Sequence, residues 1–220
     1  MTHAPLRPPR AEPSVMGMPD TAGRETQDAR HWTRAAVLAL PDDAQRHELI
    51  GGEHIVTPAP AALHQRAVAA LYLRLSAWLS AHPVAHVLFS PADISLGEDE
   101  ILQPDLFVYR TPNGGPLLNW SDISELLLVA EVSSPSTARY DRQLKRARYQ
   151  RAGVLEYWIV DLDARQIARW HPADNQPEVI TGRLAWQPLA GGPAMELDVE
   201  GLFRELGGPT PPRPAGAGPD

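Results

Sequence analysis

Residues 126–149 read LLLVAEVSSPSTARYDRQLKRARY, and the reading of this stretch decides the fold. Leu126 to Val132 is apolar apart from Glu131. An apolar run of that length, bounded by a turn, suits a strand covered on both faces, as at the centre of a sheet with helices on either side. A carboxylate inside such a strand costs free energy unless something pairs with it, so Glu131 is the residue that most needs a reason. Ser133-Ser134-Pro135-Ser136-Thr137 follows, a turn made of capping residues. Beyond it Asp141, Lys145 and Tyr149 recur every four residues, which puts them on one face of a helix. Gly153 stands at the expected C-terminal end of that helix.

Upstream, Pro104-Asp105 leads into Leu106-Phe107-Val108-Tyr109. Ile101 to Tyr109 is expected as one strand and Ala85 to Leu96 as its hairpin partner, irregular at Pro91, with Gly97 to Glu100 as the turn. Leu63, Ala67, Leu71, Leu75, Trp78 and Leu79 fall at helical spacing in 62–81, and Pro83 ends the helix. His47 to Ile50 and Glu53 to Val56 flank Gly51-Gly52, the signal of a hairpin with a primed turn. Thr33 caps a short helix that ends before Pro41. Downstream, Val154 to Asp161 reads as a strand and Gln166 to His171 as an edge strand. Val179 to Pro188 and Met195 to Leu202 are terminal strands or short helices. This order predicts an α/β (α+β) fold, a mixed β-sheet flanked by helices. Residues 1–30 are rich in Pro, Arg, Glu and Thr without hydrophobic periodicity, and 207–220 is a Pro/Gly tail. Both are expected to be disordered, leaving one domain over 31–206.

The 220 residues contain no cysteine, which excludes disulfides and thiolate chemistry. No signal-peptide-like run opens the sequence and no apolar segment reaches transmembrane length, so a cytoplasmic protein with no membrane partner is expected. The net charge of −7 argues against a high-affinity reader of DNA sequence, but not against an enzyme whose positive charge comes from a bound cation. One basic stripe stands out, Arg139, Arg142, Lys145, Arg146, Arg148 and Arg151. It is either a solvated helix face or a surface turned toward phosphate.

If the strands carrying Asp105 and Glu131 pair, the two carboxylates converge at one end of the sheet, where they repel unless a cation lies between them. Oxygen ligands without cysteine favour Mg²⁺ or Mn²⁺. Such an ion stabilises charge on a phosphoryl oxygen and activates water. Lys145 is placed to orient that water, and Glu48 on the first hairpin to add a third carboxylate. The expected set is therefore Glu48, Asp105, Glu131 and Lys145, with Asp105, Glu131 and Glu48 toward the metal.

Several pieces resemble the Uma family of restriction endonucleases, a branch of the PD-(D/E)XK nuclease superfamily. They are His47-Glu48-Leu49-Ile50-Gly51-Gly52-Glu53, His64-Gln65, Gln103-Pro104-Asp105, the segment Glu131 to Thr137, Asp141 to Lys145, and Ala152 to Asp161. The resemblance implies a restriction-endonuclease-like core and Mg²⁺-dependent cleavage of a nucleic acid, DNA, with a homodimer or other partner needed for restriction in the strict sense. By this mapping Asp105 and Glu131 are the acidic residues of the two half-motifs. The superfamily pattern then asks for lysine two residues after the glutamate, where this chain has Ser133. Lys145 is the replacement expected. The alternatives are a catalytically silent module that binds or regulates, and a metal-dependent phosphodiesterase of small substrates. His64 and Tyr149 are read as packing residues, and Asp141 as a surface partner of Lys145. A Ser-His-Asp hydrolase is disfavoured because no Gly-x-Ser-x-Gly elbow is present.

Overall fold

The computed structural model describes residues 31–207 apart from 42, 44, 58, 99 and 134–139. The segments 1–30 and 208–220, and most of the capping-rich turn after Ser133, lie outside the described residues. Helix α1 (Arg34–Leu38) is capped by the Thr33 side chain, which accepts from the Ala36 amide. A hairpin of β1 (Arg46–Ile50) and β2 (Glu53–Thr57) follows, turned at Gly51 and Gly52 with φ of 62° and 82°. These are left-handed angles that glycine adopts without steric cost. Helix α2 (Ala62–Ala81) leads to β3 (His86–Phe89), β4 (Leu106–Arg110) and β5 (Glu125–Ser133). A wide π-type turn (Tyr140–Lys145) runs into α3 (Arg146–Arg151). Strands β6 (Glu156–Asp161), β7 (Gln166–Trp170), β8 (Glu178–Ile180), β9 (Arg183–Trp186) and β10 (Met195–Asp198) precede helix α4 (Val199–Leu206).

A mixed sheet has the order β3-β4-β5-β6-β7-β8. Among the described residues only β5 and β6 pair in parallel, with Leu128 beside Glu156 and Ser133 beside Asp161. A parallel neighbour requires a crossover, which the π-type turn and α3 supply. Strand β5 is buried from Leu126 through Ser133, as its unbroken apolar run demands. On one face Ala130, Val132, Trp158 and Val160 pack with α2 and α4. On the other, Val129, Tyr157 and Ile159 pack with Tyr149 of α3 and with Ile50 and Ile55 of the β1–β2 hairpin. Alternation along the strands places Glu131 with Val129, and Asp105 with Phe107, on this second face.

The expected strand over 85–96 stops at Phe89, since Pro91 has no amide to donate. Ile94 makes a single bridge to Leu102, and Ile101 a single bridge to Leu49. Strand β4 starts at Leu106 rather than Ile101, because Pro104 breaks the ladder. Strand β7 is not the edge, since β8 pairs outside it. At the C-terminal end β9 and β10 form their own hairpin. The Asp198 side chain caps α4, and Gly207 ends it in the left-handed conformation. The described residues of the basic stripe do not form one surface, and Arg139 lies outside the described residues. Lys145 is buried, Arg142 meets Asp161, Arg146 lies over Trp170 and Arg148 pairs with Glu100.

Candidate active site

At the Asp105 end of β4 the strand pair gives way from packed hydrocarbon to buried charge. Leu106 is opposite Ala130, so Asp105 and Glu131 are cross-strand neighbours. The Asp105 amide points at Glu131 Oε2 at 3.4 Å, and the Val132 amide donates to Asp105 Oδ2 at 2.8 Å. Glu48 arrives from β1, and its Oε1 accepts from the Gln103 amide at 2.8 Å. Lys145 arrives from the end of the π-type turn. Its Nζ lies 3.0 Å from Glu48 Oε1, 3.1 Å from Glu131 Oε1 and 3.9 Å from Asp141 Oδ1. The Tyr149 hydroxyl, one turn further on, donates to Glu131 Oε1 at 3.1 Å. The four expected side chains are therefore brought together, with Lys145 bridging Glu48 and Glu131. Asp141 and Lys145 are a buried pair, not the surface pair that i,i+4 spacing alone suggests.

Two further side chains complete the group. Arg46 Nη1 donates to Asp105 Oδ1 at 2.7 Å, and its Nη2 donates to the Gln103 carbonyl. His64, in the first turn of α2, places Nε2 3.0 Å from Asp105 Oδ2. Neither was singled out as a site residue from sequence. Arg46 stands two residues before Glu48 on a strand, so alternation points both to the same side, and that signal was available. For His64 the sequence holds only its place in the resemblance; a helix start in front of an aspartate 41 residues away leaves no local trace. These side chains line one cavity of about 320 Å³, closed by Thr57, Pro60, Leu63, Leu162 and Asp163.

The electrostatics separate the two central acids. Burial alone would raise the Asp105 pKa, but the bond to His64 and the charge of Arg46 outweigh it and hold this carboxyl below its usual range. Burial raises Glu131 well above its ordinary value, and the charges of Asp105, Asp141 and Glu48 add to this, against the opposing pull of Lys145. Burial alone would lower Lys145, but Glu131, Glu48 and Asp141 more than compensate, so its amine stays an ammonium at neutral pH. Four carboxylates thus face two permanent cations, Lys145 and Arg46. Ionising all four would leave two more carboxylates than these two cations.

That excess, carried entirely by hard oxygen donors, matches one divalent cation of the Mg²⁺ or Mn²⁺ type. Among the described residues no three side chains already form a metal cage. Mg²⁺ does not require one, because it is commonly held by one or two carboxylates with water and substrate phosphate. The oxygen donors of this cavity are of the kind such an ion takes.

Among the described residues no helix is long and apolar enough to cross a membrane. A solved structure of a "putative nuclease belonging to DUF820" from Anabaena variabilis superposes with a TM-score of 0.63 at 19% identity, over 80% of this chain and 99% of that one. It shares the fold. No curated protein matches the sequence. The model of the Uma2 family, described as "putative restriction endonuclease", matches residues 34–200. That span contains the whole sheet and every charged residue of the cavity, and the chain belongs to the Uma2 family.

Proposed function

We propose that the chain is a cytoplasmic, metal-dependent endonuclease that hydrolyses phosphodiester bonds of DNA, with Glu48, Asp105, Glu131 and Lys145 as its working residues. The observation that carries this reading is the Lys145 ammonium lying between Glu48 and Glu131, the strand neighbour of Asp105, in a cavity that all four residues line. Asp105 and Glu131 would hold Mg²⁺ or Mn²⁺, with Glu48 contributing through water. The ion would supply charge stabilisation at a phosphoryl oxygen and a more acidic water.

The chain's own side chains do the rest. Asp105 is held by His64 and the Val132 amide, which fix the direction of its carboxylate. Tyr149 does the same for Glu131. Lys145 cannot serve as a base, since three carboxylates keep it protonated. It therefore orients the attacking water and stabilises the charge that builds on the phosphorus oxygens. Cutting both strands of a duplex calls for two such sites, so a homodimer is part of the proposal. The test is plasmid DNA incubated with Mg²⁺, Mn²⁺ or EDTA beside Glu131→Gln. Cleavage with either metal that EDTA and the substitution both abolish is expected, and unaffected cleavage by Glu131→Gln refutes the site.

The second reading is a silent module that binds without cutting. The Arg46–Asp105 ion pair favours it, because a guanidinium already neutralises one of the two central acids. Nucleic acid bound but never cut under any of the metal conditions would select it.

A further inference from the structure

The same ion pair supports a different use. Both oxygens of Asp105 have partners. Oδ2 accepts from the Val132 amide and meets His64, and Oδ1 has Arg46. The Val132 amide belongs to a central strand and cannot withdraw. The guanidinium sits on a movable side chain that lines the cavity and is 19% exposed. Its resting place is also incompletely satisfied, for Nε is buried without a hydrogen-bond partner, which costs free energy. A divalent cation about 2.1 Å from Oδ1 would stand roughly 4 Å from a guanidinium nitrogen 2.7 Å from the same atom, close enough for the two positive charges to repel and compete for the carboxylate.

We infer that Arg46 is the substrate-phosphate receptor of this site, held on Asp105 until a divalent cation takes that carboxylate. This rests on the nuclease reading above. Displaced from Oδ1, the guanidinium remains at the wall of the cavity that the substrate must enter, and a planar fork with several donors suits a phosphodiester. Cation and nucleic acid then bind in linked fashion. The ion frees the arginine, and the arginine regains an anion only when substrate is present. The silent-module reading treats the pair as permanent, whereas this one makes it exchangeable.

The experiment uses the full chain, Ca²⁺ as a cation that is not expected to support cleavage, and a short DNA duplex of arbitrary sequence. Isothermal titration of Ca²⁺ alone into wild type and Arg46→Gln is expected to show the variant binding about tenfold tighter, since a competing charge is gone. At saturating Ca²⁺, the variant is expected to bind the duplex about tenfold more weakly, with a salt dependence reduced by about one counterion. Arg46→Lys keeps the charge but not the fork. It is expected to hold Ca²⁺ affinity between the other two, and it serves if Arg46→Gln loses its near-ultraviolet circular dichroism. Ca²⁺ affinity equal to or weaker than wild type in both variants overturns the inference. So does unchanged duplex affinity. A wild type that binds Ca²⁺ but no nucleic acid overturns the nuclease reading and this use of Arg46 with it. A wild type that binds the duplex while Arg46→Gln keeps the same duplex affinity overturns the inference alone.

Discussion

Two glutamates lie in adjacent parallel strands of the same sheet, both buried, at opposite ends. Glu156, at the start of β6, accepts from the Trp158 indole at 2.8 Å and has Arg169 at 3.9 Å and His171 at 3.7 Å. Glu131, near the end of β5, shares its cavity with Glu48, Asp105 and Asp141. Burial raises the pKa of both. The partners differ in kind. A neutral indole and the Arg169 guanidinium meet the needs of Glu156, which ties β6 to β7. Glu131 is surrounded by further acids, and the protein supplies too few cations for them. A buried charge is evidence of function only when its neighbours leave it unbalanced, and Glu156 shows what the balanced case looks like.

The sharpest way to break this comparison is to neutralise each acid in turn. Glu131→Gln is expected to abolish nuclease activity, and Glu156→Gln to change it by less than about threefold, the loss there appearing as stability, about 1 kcal/mol. Plasmid cleavage and thermal melts of the two proteins side by side check this. Equal effects on activity would mean the cavity is not the reacting centre.

Removing the cation is next in size. Lys145→Met is expected to abolish activity and also to destabilise the fold, since it strands Glu48, Glu131 and Asp141 without their nearest positive charge. Breaking a buried pair by deleting one partner costs about 3–5 kcal/mol. The burial of Lys145 among three acids is what makes this a change of stability as well as of activity. Mg²⁺ should restore part of the lost melting temperature, and a Lys145→Met protein as stable as wild type without metal would show that the acids are not ionised together. Tyr149→Phe is milder. It removes one hydroxyl from Glu131, costs about 1 kcal/mol and lowers cleavage by less than about tenfold, read from initial rates.

Much of this contrast was legible in the chain. The run from Leu126 to Val132 announces a central strand because nothing but a sheet covered on both faces accommodates it, and Glu131 stands out against it. The four-residue spacing of Asp141, Lys145 and Tyr149 survives in the structure although the first part of that segment is a π-type turn, because both geometries return to nearly the same face after four residues. What the sequence concealed depends on long-range closure. His64 reaches Asp105 across 41 residues, and no local pattern encodes that meeting, whereas Arg46, 59 residues away, shares a strand face with Glu48. The strand ends were misplaced where Pro91 and Pro104 interrupt apolar runs, since periodicity registers side chains and not missing amides. The pairing of β8 outside β7 was missed because three residues, Glu178–Ile180, give too short a pattern to read.

The smallest effect is also the one that separates the two glutamates most directly. A carboxyl whose folded pKa lies above its ordinary value binds its proton more tightly in the native state. Between the ordinary value, 4.5 for Glu131, and the raised one, the native state holds a proton that the unfolded state has released, so stability falls as pH rises through that window. Asp105 acts in the opposite sense. Its lowered pKa contributes stability above the ordinary value of 3.8, which is lost as pH falls below it. The metal-free protein is therefore expected to be most stable in mild acid and to lose stability toward neutral pH. Glu131→Gln should flatten that limb and raise the melting temperature at neutral pH by roughly a few degrees, an activity-killing change that steadies the fold. Glu156→Gln should flatten it less, since the Glu156 pKa is raised by less than that of Glu131. Mg²⁺ should flatten it in wild type as well, since the ion binds the ionised carboxylates and displaces the proton. Melts in EDTA and in Mg²⁺ from pH 5 to pH 8 measure all three. A limb that persists in Glu131→Gln but disappears in Glu156→Gln would transfer the unbalanced charge to the other end of the sheet.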